Sequence, residues 1–200
     1  MSIVFTYFND DAYGHGARVY PGKVRTEYRT PLAFRIKTGP NEFSLYDGSR
    51  PYFGQLPLIL HGRFDGVGGS DRSSGKIQGF HTIHNLGLDT PTLSFSSTSH
   101  RCYYFVDAFS GIKYKWKVNW WGNGWKLVDE RNNQTVASFK KASSSTTFLS
   151  NAMLQGRLTI LQPGLPEHLL ALILLTQKLV HNRLQTEGSK PTKNLVHALP

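Results

Sequence analysis

A short apolar segment near the C-terminus constrains the fold of this chain more than any other feature. Residues 169–175 read Leu-Leu-Ala-Leu-Ile-Leu-Leu. In a helix these side chains cover nearly the whole circumference, and a helix that is apolar all round requires burial on all sides. A membrane span needs about 20 apolar residues, so this much shorter run is expected to be buried within the protein.

The residues around this segment carry the signals of helix boundaries. Pro166 suits the first helical position, where its missing N–H breaks no hydrogen bond. Glu167 complements the positive end of the helix dipole, and the pattern predicts a helix over Leu169–Arg183. The basic residues expected to complement its negative end are Lys178, His181 and Arg183.

The chain up to about residue 165 has the pattern of short antiparallel strands. Gly and Pro interrupt it about every 8–15 residues, and the runs between them are rich in β-branched and aromatic residues, which is typical of strands. The predicted strands are Ile3–Phe8, Val24–Tyr28, Leu32–Lys37, Glu42–Tyr46, Leu58–Phe64, Gly79–Ile83, Thr92–Ser96, Cys102–Ala108, Lys113–Val118, Trp125–Asp129, Thr135–Lys140 and Gly156–Leu161. We expect a mainly β fold: an antiparallel β-barrel of many short strands, closed around one buried hydrophobic C-terminal α-helix.

Length and composition predict one intracellular domain. We assign residues 1–185 to the domain and residues 186–200, which contain one Gly and two Pro among polar residues, to a flexible tail. Cys102 is the only cysteine, so no intramolecular disulfide can form, which fits a reducing compartment. The first residues lack the basic start and long apolar run of a secretory signal. We therefore expect a cytoplasmic protein without a transmembrane segment.

The positive charge of the chain is concentrated in its second half. The net charge is +10; residues 1–100 carry 10 basic and 8 acidic residues, and residues 101–200 carry 13 and 5. A basic surface raises the local concentration of anionic partners such as phospholipid headgroups, nucleic acid or acidic proteins. Charge alone does not choose among these partners.

One predicted strand in the basic half, Lys113–Val118, alternates between lysines and apolar or aromatic residues. Successive side chains of a strand point to opposite faces, so its three lysines share one face. They repel each other, and an anionic partner would relieve this repulsion; a solvated face that keeps the protein soluble is the alternative interpretation. The candidate ligand-binding residues are Lys113, Lys115, Lys117, Lys126, Arg131, Lys140 and Lys141.

The order of features over roughly residues 92–182 resembles a known family. The features are the aromatic strand Cys102–Phe109, Ser110-Gly111, the Tyr-x-Trp strand with Tyr114 and Trp116, the hairpin strand Trp125–Asp129, the segments Val136–Phe139 and Gly156–Ile160, and the apolar helix Leu169–Leu179. This order resembles a fungal family of unknown function related to the tubby C-terminal-like superfamily. That superfamily also holds the LURP-one-related proteins and the phospholipid scramblases.

The resemblance implies an antiparallel barrel closed around a buried helix, and it implies a class of partner. Tubby proteins bind phosphoinositides through basic side chains on the barrel surface. By resemblance we therefore expect a non-catalytic module that engages anionic phospholipid headgroups at the membrane periphery. Individual tubby ligand residues cannot be matched to this chain.

Two other functions stay open at this point. One is a protein-interaction scaffold or stress-response domain whose partner site lies on loops, with Gly66–Gly75 as the first candidate. The other is a carbohydrate-binding β-domain that uses surface tryptophans. Trp116 and Trp125 are predicted to be core residues, whereas the adjacent Trp120 and Trp121 are expected to point to opposite faces of a strand.

The sequence offers weak signals for metal binding or catalysis. His81 and His84 would lie on opposite faces of a strand, and no Cys pair or acidic cluster has zinc spacing. Cys102 lies in a packed aromatic strand, where a lone cysteine is usually a small buried hydrophobe. The acidic pairs Asp10-Asp11 and Asp129-Glu130 fall at predicted turns. We therefore expect no metal, no cofactor and no enzymatic activity, and nucleic acid is not an expected partner.

Overall fold

The computed structural model describes residues 2–10, 15–25, 27, 29–39, 42–50, 54–65, 80–85, 93–99, 102–107, 109–142 and 154–188. For residues 63–65, 80–85, 93–99 and 186–188 it describes the backbone alone. Within these ranges the chain is mainly β, with antiparallel strands in one sheet and a C-terminal helix, which confirms the predicted fold class at this level. No helix in the described ranges combines the length and the hydropathy that a membrane crossing demands.

Twelve strands and one helix are found in the described part of the chain. The strands are β1 (Ile3–Asn9), β2 (Ala17–Pro21), β3 (Phe34–Thr38), β4 (Glu42–Asp47), β5 (Leu58–Asp65), β6 (Phe80–Asn85), β7 (Leu93–Ser99), β8 (Cys102–Val106), β9 (Lys113–Val118), β10 (Gly124–Asp129), β11 (Gln134–Lys141) and β12 (Leu154–Ile160), and the helix is α1 (Glu167–Gly188). Each strand pairs antiparallel with the next one along the chain. Strand β12 pairs in turn with β1, where Ile160 lies opposite Ile3. The pairing order thus returns to its start, and we call this arrangement the strand ring.

Helix α1 is buried around its full circumference. Residues 171–181 are all buried, which amounts to about three helical turns. The helix contacts different parts of the strand ring: Tyr7 on β1 donates its hydroxyl to the carbonyl oxygen of Leu174 at 3.2 Å, and Trp116 on β9 donates its indole N–H to Thr176 Oγ1 at 3.0 Å. Full burial of a leucine side chain is worth about 1.5–3 kcal/mol, so this helix is a main source of folding free energy.

The helix is longer than predicted, and its basic residues lie elsewhere than expected. It ends at Gly188, inside the predicted tail, and residues 189–200 lie outside the described part of the chain. Lys178 and His181 are buried in the middle of the helix. Their predicted role at the negative helix end is wrong, because the unpaired carbonyls belong to the last turn, which holds no basic residue.

The second strand also differs from the prediction. Strand β2 comes earlier than the predicted strand Val24–Tyr28, whose described residues are not in a strand. Val24 instead packs with Phe8 and Tyr20 in a second, smaller apolar cluster. Strand propensity reflects how well a side chain packs on a half-buried surface. A loop that packs on a sheet, as residue 24 does, therefore has the same residue types as a strand. The other predicted strands overlap observed ones.

Candidate functional site

Strand β9 presents the predicted lysine row to the outside of the strand ring. Tyr114 and Trp116 are buried and face the core, so the lysines between them face outward. Lys113 and Lys117 are exposed, and Lys115 is half-buried. The outward orientation of the three lysines follows from the strict alternation of the strand.

The strand register extends the basic row across three neighbouring strands. Lys117 lies directly opposite Lys126 on β10, and Lys140 on β11 lies opposite Arg157 on β12. Like charges directly opposite on a sheet are destabilising. Lys126 and Lys140 are exposed and Arg157 is half-buried. We call Lys117, Lys126, Lys140 and Arg157 the basic patch; within the described residues none of them forms an ion pair with a carboxylate.

The other end of β9 is neutralised by one glutamate. Lys113 Nζ lies 3.2 Å from one carboxylate oxygen of Glu130, and Lys115 Nζ lies 3.9 Å from the other. Both ammonium groups also lie over the ring of Tyr104, at 4.3 and 4.8 Å from its centre. The hydrogen bond with Tyr104 is the main cause that raises the pKa of Lys115, which keeps the lysine charged.

Arg131 is likewise engaged, by the residue before Glu130. Its Nε and Nη2 atoms donate to the two carboxylate oxygens of Asp129 at 3.2 and 2.8 Å. The side-chain hydrogen bond from Arg131 is the main cause that lowers the pKa of Asp129. This bidentate pair leaves little unbalanced charge for a ligand.

Six of the seven candidate residues therefore divide by position along the hairpin of β9 and β10. Lys113, Lys115 and Arg131 lie at the neutralised end, while Lys117, Lys126 and Lys140 lie toward the hairpin tip. Lys117 is four residues from Lys113, about 13 Å along an extended strand, which exceeds the screening length of about 8 Å in physiological salt. Glu130 therefore has little effect on the charge near the tip.

Lys141, the seventh candidate residue, and Arg157 also lie toward the hairpin tip. Lys141 follows Lys140 and so belongs to the other face of β11, at the rim, where its charge helps to lower the pKa of His181. Arg157 was missed by the sequence reasoning. Its alternation with Leu158 and Ile160 places it on the outer face, but only the register of β11 and β12 shows that it lies beside Lys140.

The hairpin tip carries two exposed tryptophans. Trp120 is 76% exposed and Trp121 is 83% exposed, so the expectation that one would point inward is wrong. The reason is that residues 119–123 form a turn rather than a strand, and strict alternation does not apply there. Trp116 and Trp125 are buried, as the sequence predicted for both.

The remaining candidate groups do not assemble into a reactive site in the described part of the chain. Cys102 is half-buried on the outer face, opposite Lys117, so its prediction as a core hydrophobe is wrong, because Tyr103 and Phe105 take the inward positions of this alternating strand. Asp10 forms ion pairs with Arg18 and Arg35. The described residues contain no cluster of His, Cys, Asp and Glu that could hold a metal ion.

Two predicted features lie outside the described side chains. The backbone of His81 and His84 is described in β6, but not their side chains, and the loop Gly66–Gly75 lies outside the described residues.

The interior holds a polar group that the sequence reasoning also missed. The ring of His181 lies edge-on to Trp125 and Phe139, at centre-to-centre distances of 5.8 and 6.0 Å. Burial lowers the pKa of His181 to about 3, with smaller contributions from the charges of Lys178 and Lys141. The histidine is therefore neutral at pH 7, and neither ring nitrogen has a hydrogen-bond partner among the described residues.

This face combines a cluster of basic side chains with two exposed indole rings at the adjacent hairpin tip. Comparisons with protein-family models, curated proteins and solved structures found no match to this chain. Its function must therefore be inferred from the basic patch and the hairpin tip.

Proposed function

We propose that this chain is a non-catalytic binding module that engages anionic phospholipid headgroups through the basic patch. In this proposal the strand ring is a barrel closed around α1, the architecture that the resemblance to the tubby-like superfamily implies. The all-round burial of residues 171–181 supports that architecture. The module then acts inside the cell, at the surface of a membrane.

One observation carries the proposal: four cations lie together on one face with no described carboxylate as partner. Like charges face each other on neighbouring strands, because Lys117 lies opposite Lys126 and Lys140 lies opposite Arg157. Strands are about 4.8 Å apart, so the repulsion is relieved when phosphate groups lie between the side chains. Each lysine held near an anionic membrane surface contributes about 1 kcal/mol to binding.

Co-sedimentation with vesicles tests the proposal. The chain should bind vesicles that contain phosphatidylserine or a phosphoinositide, and it should not bind vesicles of phosphatidylcholine alone. Combining Lys117→Glu, Lys126→Glu and Lys140→Glu should weaken binding by at least roughly a hundredfold, because three lysine contributions are lost. Rising salt should weaken the binding of the unchanged protein, since exposed charges are screened.

A matched control separates a local site from the effect of net charge. Arg29→Glu, Lys37→Glu and Arg50→Glu make the same change in charge at exposed positions outside β9–β12. This variant should keep most of the binding. Equal losses in the two variants, or binding that ignores the anionic lipid, would contradict the proposal.

The exposed tip favours one other function, carbohydrate binding, because aromatic rings in solvent can stack on sugars. This alternative uses Trp120 and Trp121 but gives the basic patch no role. Binding to a glycan array with no binding to anionic vesicles would favour it. A protein-interaction scaffold is the third possibility, and a stoichiometric protein partner recovered without lipid would favour that.

A further inference from the structure

The tip of the β9–β10 hairpin is an ordered turn that holds two tryptophans in water. The side-chain oxygen of Asn119 accepts a hydrogen bond from the backbone N–H of Asn123 at 3.1 Å. Gly122 has a φ of +66°, and its N–H donates to the carbonyl oxygen of Asn119 at 3.1 Å. These bonds fix the backbone of the turn, yet Trp120 and Trp121 stay 76% and 83% exposed.

This exposure is unusual for the residue type. A tryptophan can bury about 150–250 Å² of surface, and the other two tryptophans of the chain are buried to within 2%. Single exposed apolar residues are common on protein surfaces, but here two adjacent residues of one fixed turn each expose a large indole ring. A local concentration of exposed apolar surface is typical of interaction sites.

The basic patch lies next to this turn. Lys140 is directly opposite Gly124, the first residue after the turn, and Lys141 donates its backbone N–H to the carbonyl oxygen of Asn123 at 2.9 Å. Lys117 is three residues before Trp120 along β9. The tip is therefore apolar at its end and cationic behind it.

An apolar tip with cations behind it matches the surface of a bilayer, where the acyl chains lie beneath a layer of headgroups. Indole rings favour the interface between headgroups and acyl chains, and cations set back from them meet the anionic headgroups. A soluble anion would satisfy the lysines but leave the indoles in water, and a neutral sugar would satisfy the indoles but not the cations. We propose that the tip inserts Trp120 and Trp121 into the interface of an anionic membrane, so that the site recognises a bilayer rather than free headgroups. This inference rests on the proposed function.

Tryptophan fluorescence tests the insertion directly. Because Trp116 and Trp125 are already buried, a change in emission on adding vesicles reports mainly on the tip. With phosphatidylcholine–phosphatidylserine vesicles we expect a blue shift, and quenching by lipids brominated near the top of the acyl chain. A soluble headgroup, inositol trisphosphate, should cause neither change.

The variant with Trp120→Ala and Trp121→Ala should lose the shift and bind the vesicles at least about tenfold more weakly, because it loses apolar surface buried in the interface. Both side chains are exposed, so its melting temperature should stay close to that of the unchanged protein. Phe109→Ala is the matched control: it removes a 49% exposed aromatic ring on the turn at the other end of β9, and it should leave vesicle binding unchanged.

The outcomes distinguish failure of the insertion from failure of the headgroup site. Vesicle binding without a shift, with equal affinity for the tryptophan variant, overturns insertion and leaves the headgroup site standing. No binding of anionic vesicles by the unchanged protein overturns both. A shift caused by oligosaccharides and not by vesicles overturns insertion and assigns the tip to sugars.

Discussion

At the scale of single residues, two aromatic side chains of the strand ring, Tyr7 and Trp116, donate hydrogen bonds to the buried helix. The hydroxyl of Tyr7 reaches the carbonyl of Leu174, and burial raises the pKa of this tyrosine, which keeps it protonated as a donor. The indole of Trp116 reaches the hydroxyl of Thr176, which in turn donates to the carbonyl of Leu172 at 2.7 Å. Buried polar groups of this kind cost free energy when a partner is removed.

Thr176→Val tests the bond between strand β9 and the helix. Valine keeps the shape of threonine but leaves the buried indole N–H of Trp116 without its acceptor. We expect a loss of about 1–3 kcal/mol in the free energy of unfolding, measured by urea denaturation. Thr30→Val, at a half-exposed position outside the strands, is the matched control, and an equal effect of both changes would contradict this assignment.

His181 makes the stability of the protein depend on pH. Its pKa is about 3 in the folded chain and 6.5 in the reference state, so between these values the unfolded chain binds a proton that the folded chain does not. The contribution of neutral His181 to the free energy of unfolding is therefore present in full above pH 6.5. It is lost as the pH decreases below this value, by up to about 1.4 kcal/mol per pH unit. His181→Phe removes the titrating group and keeps an aromatic ring.

The measurement is the free energy of unfolding at pH 7 and at pH 4.5 for both proteins. The unchanged protein should lose about 2 kcal/mol more than the variant over this interval. Parallel losses would show that His181 is solvated or finds a partner in the folded state.

At the scale of elements, the hairpin of β9 and β10 has a neutral end and a cationic end. Its alternation could be predicted from the sequence, because the two-residue period of a strand is a local property. The division between its ends could not. It arises because Glu130 in the following turn reaches back to Lys113 and Lys115, and because Lys126 pairs with Lys117 rather than with another residue of β9.

Glu130→Gln should extend the cationic end over the whole strand. Without the carboxylate, Lys113 and Lys115 become available to an anionic surface, and affinity for anionic vesicles should rise about fivefold, the effect of about 1 kcal/mol. Glu42→Gln makes the same change in charge at an exposed position on β4 and should have a smaller effect. No gain from Glu130→Gln would show that the contact surface does not extend along β9 to Lys113 and Lys115.

At the scale of the whole molecule, stability depends on a helix whose central part is buried. Residues 171–181 are buried on every side, and the second half of this stretch includes Gln177, Lys178 and His181 as well as apolar residues. The apolar run predicted this burial because an all-round apolar helix has no side that tolerates water. The buried polar residues were not predicted, since the helix was expected to end near them.

Two leucine-to-alanine changes measure how much the burial of the helix contributes to the free energy of unfolding. Leu174 has no exposed surface and Leu161 is 45% exposed, so Leu174→Ala should cost about 2–5 kcal/mol and Leu161→Ala less than about 1 kcal/mol. Thermal and urea denaturation give both values. Similar small costs would mean that the helix lies on the surface of the sheet.

The sequence by itself determined the features that depend on near neighbours along the chain. These are the strand-rich pattern, the outward face of the lysines on β9, the burial of Trp116 and the apolar helix. Only the tertiary structure decided which charged groups meet: the cations Lys117 and Lys126, the cations Lys140 and Arg157, and the ion pair of Lys113 with Glu130. It also decided that both tip tryptophans face water. The physical reason is that strand register and turn geometry are set by hydrogen bonds between separate segments, and the local pattern of residues carries no record of those partners.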